Sequence, residues 1–194
     1  MLILSTMIAL LLLIGCFYHY NDTYPFPPYI KLIMGITTLL LCYIFGTFHP
    51  NPSNLSFPIE ITLIGMFVYL IATDLLKMEL PDGGNLIVLC LGVIHLFISE
   101  QPFLNLLTGA ILFAIFFSIA LTGGLGGGDI KYVGAFGLFM EPNQILLFLW
   151  IAFLTALIFG LILIFFLQKG KDKKEPFPFG PFLILASLYI LFIY

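Results

Sequence analysis

The sequence contains little charge and no arginine. Charged residues make up 9% of the 194 residues, whereas a soluble domain of this length carries about 25%. All seven basic residues are lysines, ten residues are acidic, and the formal net charge is -3. This balance argues against nucleic acid as a partner. Because 61% of the residues are hydrophobic, most of the chain must face lipid or other apolar helices.

Cysteine is also scarce, and its spacing excludes a cysteine zinc site. Cys16, Cys42 and Cys90 are isolated within apolar runs and form no C-x-x-C pair. We interpret them as small buried hydrophobic residues, and the sequence predicts no metal and no cofactor. "LIGC" at 13–16 is similar to a lipoprotein cleavage box, but no basic stretch precedes it, so we expect an uncleaved first span.

Long hydrophobic runs are what the sequence has in abundance. A helix needs about 20 apolar residues to cross about 30 Å of hydrocarbon. The runs predict an all-α, polytopic membrane bundle in a single domain, residues 1–194. We assign eight apolar segments: 2–18, 29–48, 58–76, 85–99, 102–122, 130–141, 144–168 and 180–194.

The lysines indicate an orientation for this bundle. With the N-terminus outside, eight crossings bring every lysine to the inner face or near it. The loops on the outer side, 49–57, 100–101 and 142–143, contain no lysine. This asymmetry is typical of the excess of basic residues in cytoplasmic loops. The lysines are Lys31, Lys77, Lys131, Lys169, Lys171, Lys173 and Lys174.

Two polar loops on the inner side hold the acids of interest. The first, "ATDLLKMELPDGGN" (72–85), contains Asp74 near the end of a span, and an acid at membrane depth is a functional candidate. Asp82 or Asn85 is expected to cap the helix that follows. The second loop, "GGLGGGDIK" (123–131), has five glycines in six positions before Asp129. A helix-capping role for Asp129 explains one or two glycines but not five.

Paired aspartates have a defined chemistry. Two carboxyl groups a few Å apart share one proton, so one activates water while the other polarises a peptide carbonyl. The loose glycine loop suits an extended peptide that must reach a carboxylate. A small transporter or proton-coupled channel with membrane-embedded carboxylates is the alternative. It predicts acids at mid-span, whereas these acids lie near span ends.

Other polar and small residues are interpreted structurally. We expect His95, a lone histidine within the fourth segment, to hydrogen-bond between helices. Gly134-x-x-Gly137 and Ala156-x-x-x-Gly160 predict close helix packing.

Three motifs, in this order, resemble the type IV prepilin peptidases, the G-x-G-D intramembrane aspartic proteases. They are "ATDLLKMELPD", then Gly126-Gly127-Gly128-Asp129 with "IKYVGAFG", and "PFPFGPFL" (176–183) before the last span. The similarity covers roughly residues 25–194. The presenilin-like proteases also share G-x-G-D, but they pair it with Tyr-Asp, whereas Thr73 precedes Asp74 here.

The resemblance implies a function. Asp74 and Asp129 would be the catalytic pair, and Gly126 and Gly128 would bind substrate or support the loop. For Lys131, tuning of the pair's charge and helix-capping electrostatics both stay open. For "PFPFGPFL" the choice is between an interfacial helix stop and contact with substrate. The implied substrates are prepilins or pseudopilins with a basic leader and an apolar helix, cut at the cytoplasmic face of the cell membrane.

One departure from the family concerns a second activity. Many members carry an insertion with paired C-x-x-C motifs after the first span, which N-methylates the new N-terminus. Here the corresponding loop, 19–29, is "HYNDTYPFPPY" and has no cysteine. We therefore expect cleavage without methylation, or methylation by another protein.

Overall fold

The computed structural model describes residues 2–19, 25–48, 56–163, 165 and 178–193. Over these ranges the chain is helical, with no strand. Two short 3-10 turns, Gly137–Phe139 and Pro142–Gln144, lie between the sixth and seventh helices. The α-helices are α1 Leu2–His19, α2 Pro28–Phe48, α3 Phe57–Lys77, α4 Asp82–Ile98, α5 Pro102–Ala120, α6 Gly127–Phe136, α7 Ile145–Ile162 and α8 Gly180–Ile193.

The helix lengths confirm a multi-pass helical membrane bundle. Five stretches are long and apolar enough to span a bilayer: α1, α2, α3, α5 and Pro142–Ile162, which contains α7. Two shorter apolar helices, α4 and α8, accompany them. The bounds predicted for the sixth segment, 130–141, were wrong. Helix α6 starts at Gly127 and has ten residues, so by itself it extends about 15 Å.

Helix α3 is the centre of the bundle. It contacts α1, α2, α4 and α8, and every residue from 61 to 70 along it is buried. The hydrophobic burial that surrounds this helix continues to its last turns, where Thr73 and Asp74 are also buried. The packing of four neighbours around α3 therefore holds an acidic side chain inside the structure.

Helix α6 is tied into the same core by aromatic packing and by one buried hydrogen bond. Tyr132 lies against Phe67 of α3, with ring centroids 6.1 Å apart. Its hydroxyl donates to Oγ of Ser187 on α8 at 2.7 Å, and that hydroxyl donates in turn to the carbonyl of Leu183. A buried hydroxyl without a partner is costly, so this chain of donors fixes α6 against α8.

Glycines allow α5 to pack closely on the end of α6, as predicted for Gly134 and Gly137. A Cβ on Gly137 would lie 2.6 Å from the Cα of Gly109, and one on Gly134 would lie 3.0 Å from Phe113. The prediction for Gly160 was wrong, because no atom of the described chain lies within 4 Å of its Cβ position. Ala156, one turn earlier, is buried.

His95 bonds between elements, as expected. Its Nδ1 lies 3.3 Å from the carbonyl oxygen of Leu138, in the 3-10 turn after α6, and its ring packs against Phe139. This contact joins α4 to the C-terminal side of α6.

The close approach at Gly137 generates a stability prediction. Gly137→Ala should destabilise the protein by about 1–3 kcal/mol, because the new methyl group meets the backbone of Gly109, which cannot move aside cheaply. Thermal unfolding in detergent measures the effect. Gly160→Ala is the matched control, for which we expect an unchanged or slightly raised Tm. Equal Tm values for the two variants would contradict the packing.

Candidate active site

Asp74 lies in the last turn of α3 and is 4% exposed. The helix ends just beyond it, where Met78 adopts a left-handed conformation with φ of 55° and donates its backbone N–H to the carbonyl of Asp74 at 2.7 Å. Left-handed backbone is unfavourable for a residue with a side chain, so this sharp stop is specified by the surrounding contacts. It turns the polar segment 78–83 back over the end of α3.

Asp129 is the third residue of α6 and is partly buried. The glycine run before it includes Gly123, which has a positive φ of 80°. Gly126 is extended and precedes the helix as its N-cap, without a side-chain capping bond. Asp129 is thus not the N-cap residue of α6, but its carboxyl group lies in the first turn and interacts with the backbone amide of Gly126.

One cavity of about 430 Å³ brings the two acids together. Its walls are Asp74, residues 78–83 and residues 126–129. The two stretches that line it are the two polar loops singled out in the sequence. Gly126 and Gly128 both line the cavity, and Lys131 does not.

The environment of Asp129 favours its protonated form. Burial raises the pKa of this carboxyl group to about 7, and the negative charge of Asp74 contributes to the increase. The backbone amide of Gly126 opposes these effects to a smaller extent. Near neutral pH, Asp129 is thus able to hold the proton that a pair of adjacent carboxyl groups shares.

Asn85 has a different role from the one predicted. Helix α4 begins after Pro81 with no side-chain capping bond, so the capping roles expected of Asp82 and Asn85 were wrong. Instead, the buried Asn85 donates from Nδ2 to the carbonyl of Gly128 at 3.1 Å. This bond anchors the glycine loop to α4 directly before Asp129. No periodicity in the sequence indicates it.

Lys131 is paired with Asp82, not with Asp74 or Asp129. Its Nζ lies 2.7 Å from Oδ1 of Asp82, and the two side chains are 54% and 76% exposed. An exposed ion pair contributes about 0–1 kcal/mol, so it adds little stability. It links the first turn of α4 to the first turn of α6 at the rim of the cavity.

Metal ligands do not gather at this site. In the ranges that the structure describes, no group of three or more histidine, cysteine, aspartate or glutamate side chains is arranged to hold an ion. Glu79 and Asp82 line the cavity together with Asp74 and Asp129, so the ionisable groups in its walls are all carboxyl groups.

Comparison with known proteins identifies related sequences. A family model described as the type IV leader peptidase family matches residues 61–161, which include both acids. No solved structure matches the chain significantly.

Three relatives carry the name prepilin leader peptidase/N-methyltransferase. The protein of Xanthomonas campestris pv. campestris is 31% identical over 68% of this chain and 48% of its own length. That of Legionella pneumophila is 26% identical over 96% of this chain and 66% of its own length. That of Aeromonas salmonicida is 30% identical over 89% of this chain and 59% of its own length. The chain thus spans about half to two thirds of the length of these relatives.

The electrostatic interaction between the two acids generates a prediction about the titration of Asp129. Asp74→Asn should lower the pKa of Asp129, because it removes a negative charge, but should leave it above the usual carboxyl range, because burial is the larger cause. Carboxyl ¹³C NMR in detergent micelles measures the midpoint. Glu100→Gln, an exposed substitution beyond the end of α4, should leave it unchanged. An Asp129 midpoint that is the same with and without Asp74 would show that the two groups do not interact.

Proposed function

Since this chain belongs to the type IV leader peptidase family, we propose that it is an aspartic-type endopeptidase that removes leader peptides from prepilins or pseudopilins. The single observation that carries the proposal is the cavity lined by both Asp74 and Asp129. The names of the relatives supply the substrate class. Family membership favours this function over a transporter or channel.

We propose different roles for the two acids. Asp129, whose pKa is raised to about 7, is the proton donor. Asp74 is the ionised partner and general base. Its Oδ2 is buried and has no hydrogen-bond donor within the described residues, so this atom is available to accept a proton from water.

The reaction follows from these roles. Asp74 takes a proton from water while the water oxygen attacks the scissile carbonyl, and Asp129 gives its proton to the carbonyl oxygen. The product of this step is a tetrahedral diol. The diol then collapses: the C–N bond breaks, Asp74 returns its proton to the leaving amine, and Asp129 recovers a proton from the diol hydroxyl. Both carboxyl groups end in their starting states.

The extended glycine loop suits the substrate. Gly126 has the extended backbone, with φ of -75° and ψ of 149°, and it lines the cavity beside Gly128. A peptide must also be extended for its scissile bond to reach two acids. We infer that the loop supports the substrate backbone.

The distribution of the lysines indicates the orientation of the bundle. We infer from it that the site faces the cytoplasm.

Replacement of either acid tests the peptidase. Asp74→Asn and Asp129→Asn should each reduce prepilin cleavage at least about a hundredfold, because each removes a group that transfers protons. Purified protein is mixed with a candidate prepilin, and the cut is mapped by mass spectrometry. Glu100→Gln is the control acid, remote from the cavity, and should cleave at the wild-type rate. Cleavage by either asparagine variant at the wild-type rate would reject the assignment.

The second activity in the relatives' name is a separate matter. Residues 19–29 contain no cysteine, and part of this loop, 20–24, lies outside the described residues. We propose that the chain cleaves but does not methylate.

The cleavage product tests this second proposal. When S-adenosylmethionine is present as methyl donor, the new N-terminus should keep the mass of the unmodified peptide, because the loop has no counterpart of the insertion that methylates. Mass spectrometry of the product decides. A product that is heavier by one methyl group would overturn the proposal without affecting the peptidase assignment.

A further inference from the structure

Gly180, the first residue of α8, lies directly against Asp74. An ideal Cβ on Gly180 would be 2.8 Å from Oδ2 of Asp74 and 3.0 Å from its Cγ. A real Cβ does not approach another heavy atom to less than 3.0 Å. Any side chain at position 180 must therefore displace the carboxyl group. Gly180 belongs to "PFPFGPFL", the last of the three motifs. This motif thus contributes to the site because its glycine has no side chain.

The backbone of Gly180 also acts on the carboxyl group. The first N–H groups of a helix have no acceptor within the helix, and a negative charge near them is stabilised. Gly180 is the first residue of α8, so its amide is one of these groups, and it interacts with the carboxyl group of Asp74.

Leu80 connects this contact to the other acid. The Cβ position of Gly180 is 3.1 Å from Cδ2 of Leu80, and the Cβ position of Gly128 is 2.9 Å from both the Cβ and the carbonyl oxygen of Leu80. The leucine is buried between the two glycines. Gly180 faces Asp74, and Gly128 directly precedes Asp129. Leu80 therefore fixes the distance between the start of α8 and the start of α6, next to the two acids.

We propose that Gly180 is a positioning residue for Asp74: its backbone amide attracts the carboxylate, and its lack of a side chain leaves the space that the carboxylate occupies. This rests on the proposed peptidase function. Gly180 transfers no proton and acts only through Asp74. The requirement at position 180 is steric, so it should increase with the size of the side chain placed there.

Kinetics of Gly180→Ala test the proposal. Displacement of the general base by several tenths of an ångström should lower kcat about tenfold, while KM stays near the wild-type value because Gly180 does not line the cavity. Gly180→Val should be slower still. Gly35→Ala, on α2, is the matched control, because no described atom lies within 4 Å of its Cβ position. Wild-type kcat for Gly180→Ala would overturn the proposal.

A thermal double-mutant cycle keeps the test valid if the alanine variant is poorly folded. The Tm cost of Gly180→Ala should be larger with Asp74 present than in Asp74→Ala, where the carboxyl atoms that the new methyl group meets are gone and only the contact with Leu80 remains. Equal costs in the two backgrounds would refute the contact with Asp74.

The two proposals fail separately. If the wild-type protein cleaves no prepilin, the proposed function is rejected, whereas the cycle still decides whether Gly180 holds the carboxyl group. If the wild-type protein cleaves and Gly180→Ala cleaves equally fast, the peptidase stands and the positioning role is rejected.

Discussion

Two carboxyl groups that share one partly buried cavity repel each other when both are charged. The surrounding fold limits this repulsion by favouring the protonated form of one of them. Burial and the charge of Asp74 together raise the pKa of Asp129 to about 7, so a substantial fraction of Asp129 is protonated near neutral pH. Asp74 is carried by α3, which contacts four other helices, α1, α2, α4 and α8. Asp74 is therefore the acid fixed within the core, and Asp129 is the acid that follows the glycine loop.

Small residues are what make such an arrangement possible in a crowded apolar bundle. A carboxyl group can be buried next to a helix start only if that helix has no side chain there, and Gly180 meets this condition against Asp74. Gly128 meets the same condition against the backbone of Leu80. At these two positions glycine is needed because a side chain would clash with a close neighbour. A glycine-rich sequence by itself would instead indicate a flexible loop. Asn85 then fixes the loop further through its bond to Gly128.

The sequence was sufficient for the elements and insufficient for the contacts between them. Apolar runs predicted all eight helices because each run must satisfy its own backbone in lipid. The end of the sixth helix was predicted too late. The apolar residues continue beyond Phe136, where the helix ends, into the 3-10 turn that follows. The motif order led to Asp74 and Asp129. The bond from Asn85 to Gly128 joins residues 43 positions apart, and no local pattern encodes such a partner.

The pairing of Lys131 bears on how the charge of the site is controlled. A cation beside two carboxyl groups would favour ionisation of both and remove the proton that the proposed reaction requires. Here the ammonium group of Lys131 is engaged by Asp82, and both are mostly exposed, so water and salt screen its field. The neutral ion pair thus lies at the rim of the cavity. The pKa of Asp129 is set instead by burial, by the charge of Asp74 and by the backbone amide of Gly126.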